Sequence, residues 1–134
     1  MTTSILVFVV EDHEAIRQVL EEALTDGGFS VTTADTGEKA MEILEASGAD
    51  FRALITDINL PGKLTGWEVA QHAREINDQI PVLYVTTASA HEWASKGVPN
   101  SLLIVKPFAI AQVVTAVSQL INASVISNQA LGQG

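Results

Sequence analysis

Residues 5–12 read ILVFVVED, a run of six apolar residues that ends in two acids. Four of the six apolar residues are β-branched, which favours a strand, and the run is too short to cross a membrane as a helix. It also lacks the basic flank and cleavage site of a secretory signal. Four further short apolar runs follow, separated by segments that can be helical. This alternation predicts βαβ units around a parallel sheet.

The predicted elements fill most of the chain. We expect strands at residues 5–10, 29–34, 53–56, 82–85 and 102–105. The first helix follows the first strand, and its inward face consists of Ile16, Val19, Leu20, Ala23 and Leu24. The later long helices are predicted at residues 36–46, 66–76 and 110–121.

The stretch before the fifth strand is interrupted by Gly97 and Pro99. It therefore leaves room only for a reduced fourth helix within residues 89–96. Residues 122–134 are weakly patterned and are predicted to form a loose C-terminal tail. We expect a single domain over residues 4–121, which suits the 134-residue length of the chain.

The composition excludes several classes of protein. Hydrophobic residues make up 47% of the chain and charged residues 17%, which is typical of a compact domain. The net charge of −9 disfavours direct binding to nucleic acid or to an anionic membrane, because such binding needs basic side chains. The chain has no cysteine, so disulfides are excluded and a cytoplasmic location is expected.

Chemically capable side chains stand where four of the five predicted strands end. Glu11 and Asp12 follow the first strand, Asp57 the third, Thr86 the fourth and Lys106 the fifth. In an open parallel sheet, ligands bind at the carboxyl ends of the strands, where the strand order reverses. If the order is 2-1-3-4-5, three carboxylates meet at that point beside a hydroxyl and an ammonium.

Each of these residues alone has an ordinary structural explanation, such as a helix cap, a turn or a solvated charge. Their combination is harder to explain in this way. Two unit charges about 4 Å apart repel by about 4 kcal/mol at an effective dielectric constant near 20. Three clustered carboxylates with one lysine therefore favour a bound cation, and a few oxygen ligands suit magnesium better than calcium.

The residues resemble those of response regulator receiver domains, the phosphorylated modules of two-component signalling. The resemblance covers residues 4–121 and rests on the acidic pair, on ITDINLPG at 55–62, on PVLYVT at 81–86 and on KPF at 106–108. It implies a flavodoxin-like α/β fold, a single doubly wound, five-stranded parallel sheet of order 2-1-3-4-5. It also implies phosphorylation by a histidine kinase or a histidine phosphotransfer protein, and a downstream protein that reads the switch.

The resemblance assigns four residues to the metal side of the site. It makes Asp57 the phosphoacceptor and a magnesium ligand, and Asp12 a direct magnesium ligand. Glu11 would act through water, and the main-chain carbonyl of Asn59 would be a further ligand.

On the phosphoryl side, the resemblance implies that Thr86 and Lys106 bind phosphoryl oxygens and that the Lys106–Pro107 bond is cis. Phosphoryl transfer depends on positioning and charge neutralisation, so a carboxylate, a divalent ion and a lysine suffice for it. New oxygens on Asp57 would accept hydrogen bonds and draw Thr86 and its following loop inward.

Several features depart from the family pattern. Glu11 stands where the family more often has aspartate, and the loop from Asp57 to Gly66, which contains Lys63, is one residue longer than usual. Leu103 replaces the aromatic residue usually found three positions before the lysine. Because of these departures and the reduced fourth helix, the surface that a downstream protein reads cannot be inferred from the family.

The histidines and tryptophans carry weaker signals. His13 lies beside the acidic pair and is expected to be exposed in the first helical turn, while His72 and His91 are expected at the surface. Trp67 is expected to be half-buried. Trp93 is either half-buried or an anchor for a partner.

Three functions remain open from the sequence. The first is a phosphorylation-dependent switch, not an enzyme, which acts as a monomer or weak dimer on protein partners, without nucleic acid or membrane. The second is an aspartyl-phosphate hydrolase, which would carry a general-acid aspartate where Asn59 stands. The third is a pseudo-receiver that only docks partners, which the set Asp12, Asp57, Thr86 and Lys106 disfavours. A free-standing domain is expected, with a fragment of a hybrid histidine kinase as the alternative.

Overall fold

The computed structural model describes the backbone of residues 4–133 and the side chains of residues 4–123. Five strands and five helices alternate along this part of the chain: β1 (Ile5–Val10), α1 (Glu14–Asp26), β2 (Phe29–Ala34), α2 (Gly37–Ser47), β3 (Ala53–Asp57), α3 (Gly66–Ile76), β4 (Val82–Thr86), α4 (Trp93–Lys96), β5 (Ser101–Val105) and α5 (Ile110–Gln133). The strands form one parallel sheet of order β2-β1-β3-β4-β5, which confirms the predicted fold.

The central strands β1, β3 and β4 are largely buried because helices cover both sides of the sheet. Along β1, Val7 and Val9 face the layer that contains α1 and α5, whereas Phe8 and Val10 face the layer that contains α2 and α3. On the second side, the rings of Phe8 and Phe51 stack with centroids 4.7 Å apart. This two-sided core explains why β1, β3 and β4 read as nearly continuous hydrophobic runs.

Local signals fix several helix ends. The Thr36 side chain accepts a hydrogen bond from the Lys39 backbone at the start of α2, and a capping box of Thr65 and Glu68 begins α3. Helix α1 ends at Asp26 with Gly27 as its C-cap, and the chain then turns at Gly28, whose φ of 97° favours glycine.

The fourth helix is reduced, as the sequence predicted. It is the single turn Trp93–Lys96, preceded by a 3-10 turn at Ala90–Glu92. Because Gly97 and Pro99 follow immediately, a longer helix has no room to form. The β4–α4 connection is therefore mostly loop, and it lies at the end of the sheet that carries the acidic residues.

Three expectations about burial and extent were wrong. Val19 is 48% exposed, since Leu20 and Leu24 already supply the buried face of α1. Trp67 is only 6% exposed and packs against Tyr84. Helix α5 continues to Gln133 where a loose tail was predicted from residue 122, because no glycine or proline interrupts residues 122–131. The side chains of residues 124–134 lie outside the described part.

Among the residues that the structure describes, none of the helices is both long enough and apolar enough to cross a membrane.

Candidate functional site

The site lies where the strand order reverses, at the carboxyl ends of the neighbouring strands β1 and β3. Val10 of β1 is in register with Thr56 of β3, so the residues that follow them, Glu11 and Asp57, come side by side. Both are buried, with Glu11 1% and Asp57 4% exposed. Two neighbouring buried carboxylates need compensation by positive charge.

Lys106, which follows the edge strand β5, supplies part of that positive charge. Its ammonium donates hydrogen bonds to Glu11 Oε1 and to Asp57 Oδ2, both at 2.9 Å. The Lys106 backbone N–H donates to the carbonyl of Thr86 at 2.8 Å, which ties the end of β5 to β4. The Lys106–Pro107 bond is cis, as the family resemblance implied.

The electrostatics reflect one cation shared by two acids. Burial raises the pKa of Glu11, and the charge of Asp57 acts in the same direction against the hydrogen bond from Lys106. Burial alone would lower the pKa of Lys106, but its hydrogen bonds to Glu11 and Asp57 outweigh burial and raise that pKa. The ammonium is therefore held in its charged form, and the carboxylates still exceed it in charge.

Asp12 completes an acidic cluster that could hold a metal ion. One ligand atom from each of Glu11, Asp12, His13 and Asp57 lies within 4.8 Å of the others. Asp12 Oδ1 is buried and has no hydrogen-bond partner among the described residues. By formal charge, three carboxylates against one ammonium leave an excess of two negative charges, which matches the charge of a divalent cation. The donor atoms are mostly oxygens, which suits a hard ion.

Asn59 and Thr86 are held by the loop that follows β4. The Asn59 N–H donates to Asp57 Oδ1 at 3.2 Å, and its side-chain oxygen accepts from Ser89 Oγ at 3.2 Å. The Thr86 hydroxyl is buried and accepts from the N–H groups of Ala88 and Ser89, at 3.2 and 3.0 Å. Thr86 thus stands at the predicted edge, but its hydroxyl oxygen binds its own loop.

Ser89 is a residue that the sequence did not single out. It is buried, its N–H binds Thr86 and its hydroxyl binds Asn59, so it joins the loops that follow β3 and β4. A serine in a loop of small residues gives no sequence signal for such a role, because the role depends on two loops meeting in space.

A groove of about 780 Å³ opens beside Asp57. The polar part of its lining includes His13, Asp57, Asn59 and Lys106. The rest of its lining is largely apolar and comes from α1, the β5–α5 connection and the start of α5, including Ile16, Val19, Pro107, Phe108 and Ile110. The exposed Val19 side chain is thus part of the apolar lining of this groove, next to the acidic cluster.

Two departures from the family pattern lie nearby. The loop after Asp57, which we predicted to be one residue longer than usual, packs on the start of α2. There the Lys63 N–H donates to Glu38 at 3.0 Å, and the Lys63 side chain is exposed. Leu103 on β5 is partly buried against the core on the α3 side of the sheet. No aromatic ring therefore occupies the β5 position that the family usually fills with one.

A family model described as the response regulator receiver domain matches residues 7–118. The chain belongs to this family. A response regulator receiver protein from Sinorhizobium medicae WSM419 has a crystal structure similar to this receiver, with a TM-score of 0.86, 43% identity and coverage of 90% of this chain and 97% of that one. The chemotaxis protein CheY4 of Vibrio cholerae is 29% identical, with a TM-score of 0.78 over 88% of this receiver and 99% of CheY4.

Among curated proteins, the transcriptional regulatory protein CusR of Escherichia coli (strain K12) is 32% identical over 115 residues, which are 84% of this receiver and 49% of CusR. The receiver spans about half the length of the curated relatives it matches. A partnership without nucleic acid, expected from the net charge, does not fit a family that includes a transcriptional regulator. The net charge of −9 disfavours nucleic-acid binding by this chain only, and it says nothing about the other half of such relatives.

Proposed function

We propose that this receiver accepts a phosphoryl group on Asp57 from the phosphohistidine of a histidine kinase or a phosphotransfer protein, with Mg²⁺ as the cofactor. The observation that carries the proposal is the meeting of buried Asp57 with Glu11 and Lys106 at the switch point, with 2.9 Å between Lys106 and each carboxylate. The family match supports the same assignment.

In this proposal Asp12, Asp57 and the main-chain carbonyl of Asn59 hold the magnesium ion, and Glu11 acts on it through water. Bound there, the ion supplies neutralisation of the charge that develops on the phosphoryl oxygens. The unpartnered Asp12 Oδ1 supports a cation at this position. The excess of two negative charges in the cluster supports a divalent one.

The transfer itself needs little more than these side chains. A carboxylate oxygen of Asp57 forms the new bond to phosphorus, and the bond from phosphorus to the donor imidazole nitrogen breaks. The electron pair of the broken bond stays on that nitrogen, and the Lys106 ammonium moves its hydrogen bonds to a phosphoryl oxygen. The protein therefore acts as a phosphoacceptor and not as an enzyme with turnover on external substrates.

The apolar groove supports a protein as the donor. Ile16, Val19 and Phe108 lie beside Asp57 along one continuous surface. A helix of a partner that packs its apolar face there would place a histidine within reach of Asp57. The cytoplasmic location and the monomeric or weakly dimeric state expected from the sequence stay predictions.

The proposed switch begins at Thr86. Its hydroxyl now accepts hydrogen bonds from the N–H groups of Ala88 and Ser89. A phosphoryl group on Asp57 offers new acceptor oxygens, and Thr86 would donate to one of them and release its hold on the loop. The loop from residue 87 to residue 92 would then rearrange and alter the surface around α4, which a downstream protein reads.

The test is incubation with acetyl phosphate and magnesium, followed by intact-mass measurement. We expect the mass of one phosphoryl group on the native protein and on Asp50→Asn, which alters an exposed acid outside the cluster. Asp57→Asn should stay unmodified. Equal phosphorylation of Asp57→Asn would overturn the proposal.

A further inference from the structure

His13 is the one member of the acidic cluster that offers nitrogen in place of oxygen. Its Nδ1 lies 3.2 Å from Glu11 Oε2 and 3.5 Å from Asp12 Oδ1. The backbone N–H of His13 also donates to Glu11 Oε2 at 3.1 Å, which fixes the residue at the entry to α1. The imidazole therefore lies beside both carboxylates.

The spacing of these atoms matches ligands of one metal ion. With bonds of about 2.1 Å, neighbouring ligands of an octahedral ion lie about 3 Å apart and opposite ligands about 4.2 Å apart. The distances from His13 Nδ1 to the two carboxylate oxygens, 3.2 and 3.5 Å, are close to the first value. All four ligand atoms lie within 4.8 Å of one another, which is a little more than the distance between opposite ligands.

A hydrogen bond alone explains the position of His13 less completely. The imidazole lies nearer to Glu11 Oε2, which also accepts the His13 backbone N–H. Asp12 Oδ1 is left buried without a hydrogen-bond partner among the described residues. An ion bound jointly by His13 and Asp12 would satisfy that oxygen, which a hydrogen bond from His13 to Glu11 does not.

We propose that His13 is a metal ligand that makes this site prefer borderline transition metals, such as Co²⁺, Ni²⁺ and Zn²⁺, over Mg²⁺. The inference rests on the proposed magnesium function of the same cluster. Imidazole nitrogen suits these ions, whereas Mg²⁺ prefers oxygen ligands. The imidazole is 65% exposed, so it can turn toward an ion or away from it. Mg²⁺ would use the oxygen ligands proposed above without His13, and the transition metals would use His13 in addition.

The test is calorimetric titration of the metal-free protein with Mg²⁺, Co²⁺ and Ni²⁺, at a pH about one unit above the ordinary imidazole pKa. His13→Ala should weaken Co²⁺ and Ni²⁺ binding by about tenfold or more and leave Mg²⁺ binding within about twofold. His13→Gln, which keeps a polar side chain without an imidazole, should behave in the same way. His91→Ala is the matched control, because His91 is 77% exposed and lies near one carboxylate, that of Glu92.

A spectroscopic readout separates ligation from a structural effect. The visible absorption of bound Co²⁺ should change in His13→Ala and stay unchanged in His91→Ala, with circular dichroism unaltered in both. If Co²⁺ and Ni²⁺ each bound to His13→Ala as tightly as to the native protein, the proposal would be overturned. If Mg²⁺ still bound in that case, and Asp12→Asn abolished its binding, the proposed function would stand without this inference. Failure of every ion to bind would overturn both.

Discussion

The ammonium of Lys106 lies 2.9 Å from Asp57 Oδ2, although the two residues are 49 positions apart and stand at the ends of β5 and β3, which β4 separates. The same ammonium contacts Glu11 at the same distance. One buried cation thus holds together the ends of three strands. We therefore expect the stability of the fold and the proposed phosphorylation to depend on the same ammonium.

Replacement of Lys106 by methionine should destabilise the fold by about 3 kcal/mol, because two buried carboxylates lose their partner. Urea unfolding without divalent ions measures this change. Lys63→Met, at an exposed loop position, is the control and should stay within about 0.5 kcal/mol of the native protein. Equal stability of the two variants would show that Lys106 does not compensate the acids.

Magnesium should stabilise the native protein. At a concentration 100 times the dissociation constant, the expected gain is about 2.7 kcal/mol, measured as a rise in unfolding temperature. Asp12→Asn should remove most of the gain, whereas Asp50→Asn should keep it, since Asp50 is exposed and outside the cluster. A gain of equal size in Asp12→Asn would place the ion elsewhere.

Trp93 should report activation. Thr86 binds the N–H of Ser89, the carbonyl of Ser89 accepts from Glu92, and the indole of the next residue, Trp93, donates to Ser101 on β5 at 3.0 Å. A signal that releases Thr86 from the loop therefore reaches Trp93 through direct contacts. This path does not need an aromatic residue at position 103.

Trp67→Phe and Trp93→Phe separate the two tryptophans in a fluorescence titration with beryllofluoride and magnesium. We expect the change in fluorescence to persist in Trp67→Phe, since Trp67 is buried against Tyr84 in the core. It should disappear in Trp93→Phe. A response confined to Trp67 would contradict the path through Ser89.

Tyr84 should link stability to alkaline pH. Burial raises the pKa of its hydroxyl, so the folded state keeps the proton more tightly than the unfolded state. Its contribution is complete below the unfolded pKa of about 10 and is lost as the pH rises through the higher folded value. Tyr84→Phe should therefore flatten the loss of stability above about pH 10.

The same variant should lower stability at neutral pH by about 1–3 kcal/mol, because the buried N–H of Val98 loses its acceptor, the Tyr84 hydroxyl. Chemical unfolding across the two pH ranges measures both effects. If the stability of Tyr84→Phe fell above about pH 10 as steeply as that of the native protein, groups other than Tyr84 would cause the loss.

The sequence predicted the sheet order and the positions of Glu11, Asp57 and Lys106, because the carboxyl ends of parallel strands meet at one edge. It could not predict that Ser89 joins two loops, since that contact depends on how the loops fold over one another. It overestimated the apolar face of α1 at Val19, because hydrophobic spacing does not distinguish a core position from the wall of a groove.

The exposure of the two tryptophans also depends on tertiary context. Trp67 is buried because Tyr84 of β4 lies 4.8 Å from its ring, a contact between residues 17 positions apart. Trp93 is held by Ser101, whose hydroxyl in turn donates to the Val98 carbonyl. Neither pairing follows from local periodicity.

The most direct measurement is a crystal structure with beryllofluoride and magnesium. We expect beryllium bonded to a carboxylate oxygen of Asp57, an ion bound by Asp12 and Asp57, and the Lys106 ammonium in contact with a fluoride. A metal ion remote from Asp12, or a Lys106 ammonium that points away from the modified Asp57, would contradict the proposed phosphorylation site.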